Sequence, residues 1–118
     1  AQNAAPTEYS TFVQAIGISN AIAIAAGRYH SAALRSDGIV LACGYNNTGE
    51  LGDGTTINRS TFTQALGVSD VAAIACGYQF TMAIRADGQV FATGRGVNGQ
   101  LADGTILNKS TFVQSLSL

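Results

Sequence analysis

A five-residue string narrows sharply what this chain can fold into. Ser-Thr-Phe-Val-Gln begins at Ser10, Ser-Thr-Phe-Thr-Gln at Ser60, and Ser-Thr-Phe-Val-Gln again at Ser110, a spacing of 50 residues each time. Residues 10–59 and 60–109 align without a gap and agree at about half of their positions. A regular period of this length marks a propeller or a solenoid, in which each unit buries its apolar face against the next. The expected organisation is a connector at 1–9, a first repeat at 10–59, a second repeat at 60–109, and an additional outer strand at 110–118.

The content of each repeat favours the propeller. Residues 21–26 (AIAIAA) and 71–76 (VAAIAC) are short and apolar, closed by Gly27 and Gly77. Residues 30–35 and 80–85 follow after a brief turn. Asp37-Gly38 and Asp87-Gly88 then separate them from 39–43 and 89–93, and Asp-Gly between two apolar runs signals a hairpin. A Gly-rich loop leads to a fourth run, at 61–65 and again at 111–115. Alanine by itself favours helix, but runs of five or six residues bounded by glycine are strand-sized. The fold class is therefore all-β: β-propeller blades of four antiparallel strands, two blades per chain. Ala23, Ala25, Ala73 and Ala75 suit a first strand crowded near a propeller axis.

Composition says what must cover those blades. The 118-residue chain is 47% apolar and only 11% charged, against roughly 25% charged in ordinary soluble domains. Two isolated blades would leave two broad apolar faces in water, and so little charge cannot screen them. Propellers close with about 4 to 8 blades. The expected partners are copies of the chain itself, three or four of them closing head to tail into a ring. A third copy of the fourth-strand motif, at 10–16, suggests strand exchange between neighbours.

The same composition argues against other partners. Net charge is −1, and Arg28, Arg35, Arg59, Arg85, Arg95 and Lys109 stand one at a time, whereas nucleic-acid binding needs clustered bases. No run approaches the roughly 20 apolar residues that span a bilayer as a helix, and the first ten residues lack the basic and apolar regions of a signal peptide. Neither nucleic acid nor a membrane is an expected partner. Cys43 and Cys76 fall at unmatched repeat positions and read as small buried hydrophobes; they do not decide a compartment.

Several motifs invite sharper readings and resist them. His30 is the sole histidine, and Phe80 replaces it in the second repeat, which points to packing or hydrogen bonding within the blade. Asp53-Gly54-Thr55 and Asp103-Gly104-Thr105 resemble calcium loops, but each offers one Asp where calcium takes six to eight oxygens. Asp37, Gly38, Asp53, Gly54, Asp87, Gly88, Asp103 and Gly104 read instead as structural turns. Gly94-Arg95-Gly96-Val97-Asn98-Gly99 fits a dinucleotide fingerprint, yet a strand, not a helix, is expected after it. Arg35 and Arg85 are expected to pair locally with Asp37 and Asp87. No catalytic, cofactor or metal constellation emerges, so the chain is expected to be non-enzymatic. The loop residues that differ most between repeats, Tyr45, Asn46, Asn47, Thr48, Arg95, Val97 and Asn98, are the candidate partner contacts.

Residues 24–34 (IAAGRYHSAAL), then Ser36-Asp37-Gly38, Gly44 and Gly49-Glu50-Leu51-Gly52-Asp53-Gly54-Thr55, resemble the repeat of the regulator of chromosome condensation family. The likeness runs from Ser10 to Leu118. Where that repeat has Trp before Gly, this chain has Cys43 and Thr93, and where it opens the fourth strand with Pro, this chain has Phe12, Phe62 and Phe112. The resemblance implies a β-propeller that acts as a scaffold or protein-interaction surface. Some propellers of this kind are enzyme inhibitors or GTPase exchange factors, an alternative that the fold alone does not decide.

Overall fold

Two four-stranded antiparallel sheets make up residues 18–116, the part of the chain that the computed structural model describes. The first holds β1 (Ala21–Ala26), β2 (His30–Arg35), β3 (Val40–Gly44) and β4 (Arg59–Gln64) in chain order. The second holds β5 (Val71–Cys76), β6 (Phe80–Arg85), β7 (Val90–Gly94) and β8 (Lys109–Gln114) in the same order. The sheets are blades of one design, with every register pair repeated 50 residues on, as in Ile24↔Ala33 and Ile74↔Ala83. The inner three strands lie within a residue of the runs expected from sequence; β4 and β8 start two residues earlier than expected. The Ser-Thr-Phe motif at 110–112 lies in β8. The connector at 1–9 and the motif copy at 10–16 lie outside the described residues.

Local chemistry sets the turns. In the β2–β3 turn the Gly38 N–H donates to the Arg35 carbonyl and the Arg35 N–H to the Ile39 carbonyl, both near 3.0 Å. Gly38 then sits at φ 84° and Gly88 at φ 88°, a left-handed conformation that glycine adopts without a Cβ clash. The result is a three-residue hairpin turn closed by a left-handed glycine. Arg35 grips Asp37 through two hydrogen bonds of 3.0 and 2.6 Å, and Arg85 pairs with Asp87 at 2.8 Å. These are the local pairings that the spacing suggests.

Strand alternation gives each blade two faces. On the first blade, Ala23, Ala32, Leu34, Val40 and Ala42 point toward the second; Ile24, Ala33, Leu41, Cys43 and Phe62 point away. On the second blade the relation is reversed. Ile74, Cys76, Ala83, Phe91 and Phe112, the repeat partners of the outward set in four of five cases, join the common core. The core is therefore the back of one blade pressed on the front of the next. Leu34 is fully buried, whereas its partner Ile84 is 45% exposed on the open back of the second blade.

Matched positions should then differ in energetic weight. In dilute solution, urea denaturation of Leu34→Ala should show a loss of about 2–5 kcal/mol, and Ile84→Ala under about 1 kcal/mol.

Candidate functional site

The loop at residues 45–58 is built around Asn46. Its side chain is fully buried; its amide donates to Asp53 Oδ1 at 3.1 Å and to the carbonyls of Thr55 and Ile57 at 3.0 Å. Its oxygen accepts the Leu51 N–H at 3.0 Å. Asp53 also accepts from the Thr55 N–H and hydroxyl and from Arg59 Nε. Burial works to raise the Asp53 pKa, but these hydrogen bonds more than offset it, and the carboxyl lies below its ordinary value. Both carboxylate oxygens are engaged internally, so the calcium-like motif serves as a turn. The second loop keeps a looser version, with Asp103 accepting from the Thr105 N–H and hydroxyl and forming an ion pair with Lys109 at 3.8 Å.

This folded loop presses onto the second blade. Leu51 is fully buried in the shared core. The Thr81 hydroxyl donates to the Glu50 carbonyl at 2.7 Å, and the Thr93 hydroxyl lies 2.9 Å from the Gly49 carbonyl. Gly54 N–H donates to the Ser110 carbonyl at 2.7 Å. Glu50, itself buried, turns its carboxylate back to the Thr48 N–H and hydroxyl, both at 2.8 Å. Gly49 has to be glycine: at φ 87°, a Cβ there would meet the Ser110 Cα at 2.7 Å.

His30 completes the seam between blades. Its Nε2 lies 2.9 Å from the Thr81 hydroxyl oxygen. That hydroxyl gives its proton to the Glu50 carbonyl, so it accepts from His30, and the ring is the neutral Nε2–H tautomer. Nδ1 has no partner among the described residues. Burial lowers the His30 pKa against the raising influence of the Glu50 charge. The packing or hydrogen-bonding role expected within the blade becomes a hydrogen bond between blades, across the joint. Thr81 is the residue that sequence reasoning missed here. It faces His30 only because the blades stack, and a single repeat carries no sign of that.

The Gly94-Arg95-Gly96-Val97-Asn98-Gly99 string leads into β8 through a turn, with no helix among the described residues for a dinucleotide phosphate. Cys43 and Cys76 are free, half-buried thiols, both raised in pKa by burial.

The turn and loop at the ends of β1, β3, β5 and β7 share one side of the molecule. Here Arg28 bridges two blades, its guanidinium 5.0 Å from the Tyr29 ring centre and 4.9 Å from that of Tyr78. Tyr29 meets Tyr45 edge to face at 6.1 Å. Arg95 reaches Gln79 at 3.2 Å. Tyr29 and Tyr78 are more than half exposed. Among the loop residues singled out from sequence, Tyr45, Asn47, Val97 and Asn98 are exposed and Arg95 is half-buried. Asn46 and Thr48 are buried and engaged in holding the loop, so their variability reflects internal bonding, not free surface. Arg28, Tyr29 and Tyr78 join the exposed set. A signal for them was present: 28–30 and 78–80 differ at all three positions between repeats.

Two stacked blades with a folded loop clasping the next blade define a β-propeller repeat. The model of the regulator of chromosome condensation (RCC1) repeat matches at 21–50 and 71–100, and a second model of the same description at 37–84. The chain belongs to this family. It is similar to yeast RCC1 (Prp20) bound to Kap60, with 19% identity, a TM-score of 0.76, and coverage of 87% of this chain and 26% of that one. Prp20p from Saccharomyces cerevisiae, described with its binding to Gsp1p and histones, matches at 20% identity and a TM-score of 0.75, over 86% and 27% of the two chains. Human WBSCR16 matches at 28% identity and 0.73, over 80% and 25%. The chain thus spans about a quarter of the length of these structures.

Burial of His30 in the seam makes the joint sensitive to pH. The folded state holds His30 neutral below its ordinary 6.5, so the unfolded chain takes up the proton first and stability falls as pH drops through that value. Thermal melts should show Tm falling from pH 7 to pH 5 in the native chain and staying nearly flat in His30→Phe over the same window.

Proposed function

We propose that this chain is a non-catalytic propeller module that assembles with copies of itself and presents a protein-interaction surface on its long-loop side. One observation carries the reading: the only blade joint in the described residues is head to tail, and it leaves one unburied apolar face of each kind. The front of the first blade is an open groove of about 640 Å³ along Ile24, Ala33, Cys43 and Phe62. The back of the second is a groove of about 300 Å³ along Ala73, Met82, Ile84 and Val90. A head-to-tail contact that repeats with a closing rotation gives a ring. Three copies supply six blades and four supply eight, both within the range in which propellers close. In this reading 10–59 and 60–109 are the duplicated units, and the motif at 10–16 exchanges with a neighbouring copy.

A second reading, a specific protein binder resembling inhibitory or exchange-factor propellers, draws support from the rim of Arg28, Tyr29, Tyr45, Tyr78 and Arg95. Exposed Tyr and Arg beside one another are the residue types that dominate binding hot spots. The two readings are compatible, since assembly uses the blade faces and recognition would use the loop side.

Light scattering on the full chain at micromolar concentration tests assembly. The expected mass is that of three or four chains, changed by deletion of 1–17; a single-chain mass at all concentrations overturns the reading.

A further inference from the structure

Several contacts that the first blade makes on the second have counterparts on the second blade that meet nothing or lie more open, although Leu101, like Leu51, is fully buried within its own blade. Gly38 comes within 3.1 Å of the Asp70 Cα, measured from an ideal Cβ, while a Cβ on Gly88 would find no atom within 4 Å. Gly49 lies against the backbone of Lys109 and Ser110, while Gly99 again faces open space. Glu50 is buried, and its partner Gln100 is only half-buried. Phe112 is 4% exposed under the first loop; Phe62, its partner, lines an open groove. The backbone conformation is already set for the missing contact: Asn20 holds φ 59° where Asp70 holds φ 56°.

Resting on the self-assembly proposed above, we infer that the 96–104 loop of one copy seats on Ser31, Cys43 and Phe62 of the next, placing Ala102 against Cys43. The occupant is a second copy of this chain because the sequence differences between the two joints compensate one another. At the internal joint, an ideal Cβ on Gly52 falls 3.0 Å from Thr93 Cγ2 and 3.1 Å from Phe112 Cδ2, so a larger loop residue would crowd them. At the outer joint the loop carries Ala102 in the same left-handed conformation, φ 55° against 71°. The strand that would receive it carries Cys43 in place of Thr93, with a single branch at Cβ instead of two. A methyl gained on the loop is matched by one lost on the strand. The polar clasp changes in step. The His30–Thr81 hydrogen bond gives way to Phe80 beside Ser31, a pair with nothing to titrate, which leaves the serine hydroxyl free for the loop carbonyl.

The Gly52–Thr93 geometry shows how the joint can be trapped. With a C–C bond of about 1.5 Å, a 3.0 Å approach to Cγ2 puts the two Cβ atoms within about 4.5 Å, inside the disulfide range. Ala102→Cys keeps a Cβ where one already exists, and Cys76→Ala removes the second native thiol by installing the residue that the matching position, Ala26, carries. The full chain would be oxidised with glutathione disulfide, its linkages mapped by peptide mass, and its mass measured in parallel by light scattering. The expected result is a covalent ladder ending at the three- or four-chain species, linked between Cys43 and the introduced cysteine, and lost completely on adding Cys43→Ser. A multi-chain mass without that linkage overturns the joint and leaves self-assembly standing. A single-chain mass overturns both.

Discussion

The contact on which the structure depends is the clasp of the 45–58 loop on the neighbouring blade. Leu51 enters the shared core while Gly49 and Glu50 hand their carbonyls to Thr93 and Thr81. Burying one leucine contributes about 1.5–3 kcal/mol. The carbonyls, buried beside it, would be costly without those hydroxyls. A lone blade buries the leucine, as Leu101 shows, but it cannot supply the hydroxyls, since Thr81 and Thr93 both belong to the neighbour. Blade stability is therefore a property of pairs, and a two-blade chain holds one complete pair and two halves.

That arithmetic explains an otherwise odd asymmetry. Residues equivalent by sequence behave differently according to which side of the joint they occupy. Ile24 is 80% exposed and Ile74 is packed against the core; Leu34 is sealed and Ile84 is open. The loops differ for a separate reason, a substitution: Asn46 bonds the first loop together, and Gly96 leaves the second with fewer bonds. The long-loop side stands apart from this logic. Its Arg28–Tyr29–Tyr78 cluster bridges the blades at their rim without entering the core.

Much of the fold was legible because the repeat and the turn chemistry agree. Asp37-Gly38 and Asp87-Gly88 announce hairpins, and their glycines take the expected left-handed φ. The alanine strands were readable only through their length and flanking glycines, against their helical propensity. The site was less legible. Asn46 and Thr48 looked variable and therefore free, yet Asn46 is the hub of its loop, replaced by Gly96 in the second repeat. Variation between repeats marks both free surface and internal substitution, and only burial separates the two. The His30–Thr81 bond was invisible for a different reason: its partners lie 51 residues apart and meet only when blades stack.

Amide hydrogen exchange resolved by residue tests the pairwise account most directly. Val71 and Phe112 donate their N–H groups across the internal joint, to Gly38 and Leu66 at 3.0 and 2.9 Å. Their repeat partners, Ala21 and Phe62, are the donors that a second copy would engage. Val71 and Phe112 should be protected at every protein concentration. Ala21 and Phe62 should exchange rapidly in dilute solution and gain matching protection as concentration rises. Rapid exchange at Ala21 and Phe62 at all concentrations would contradict the account.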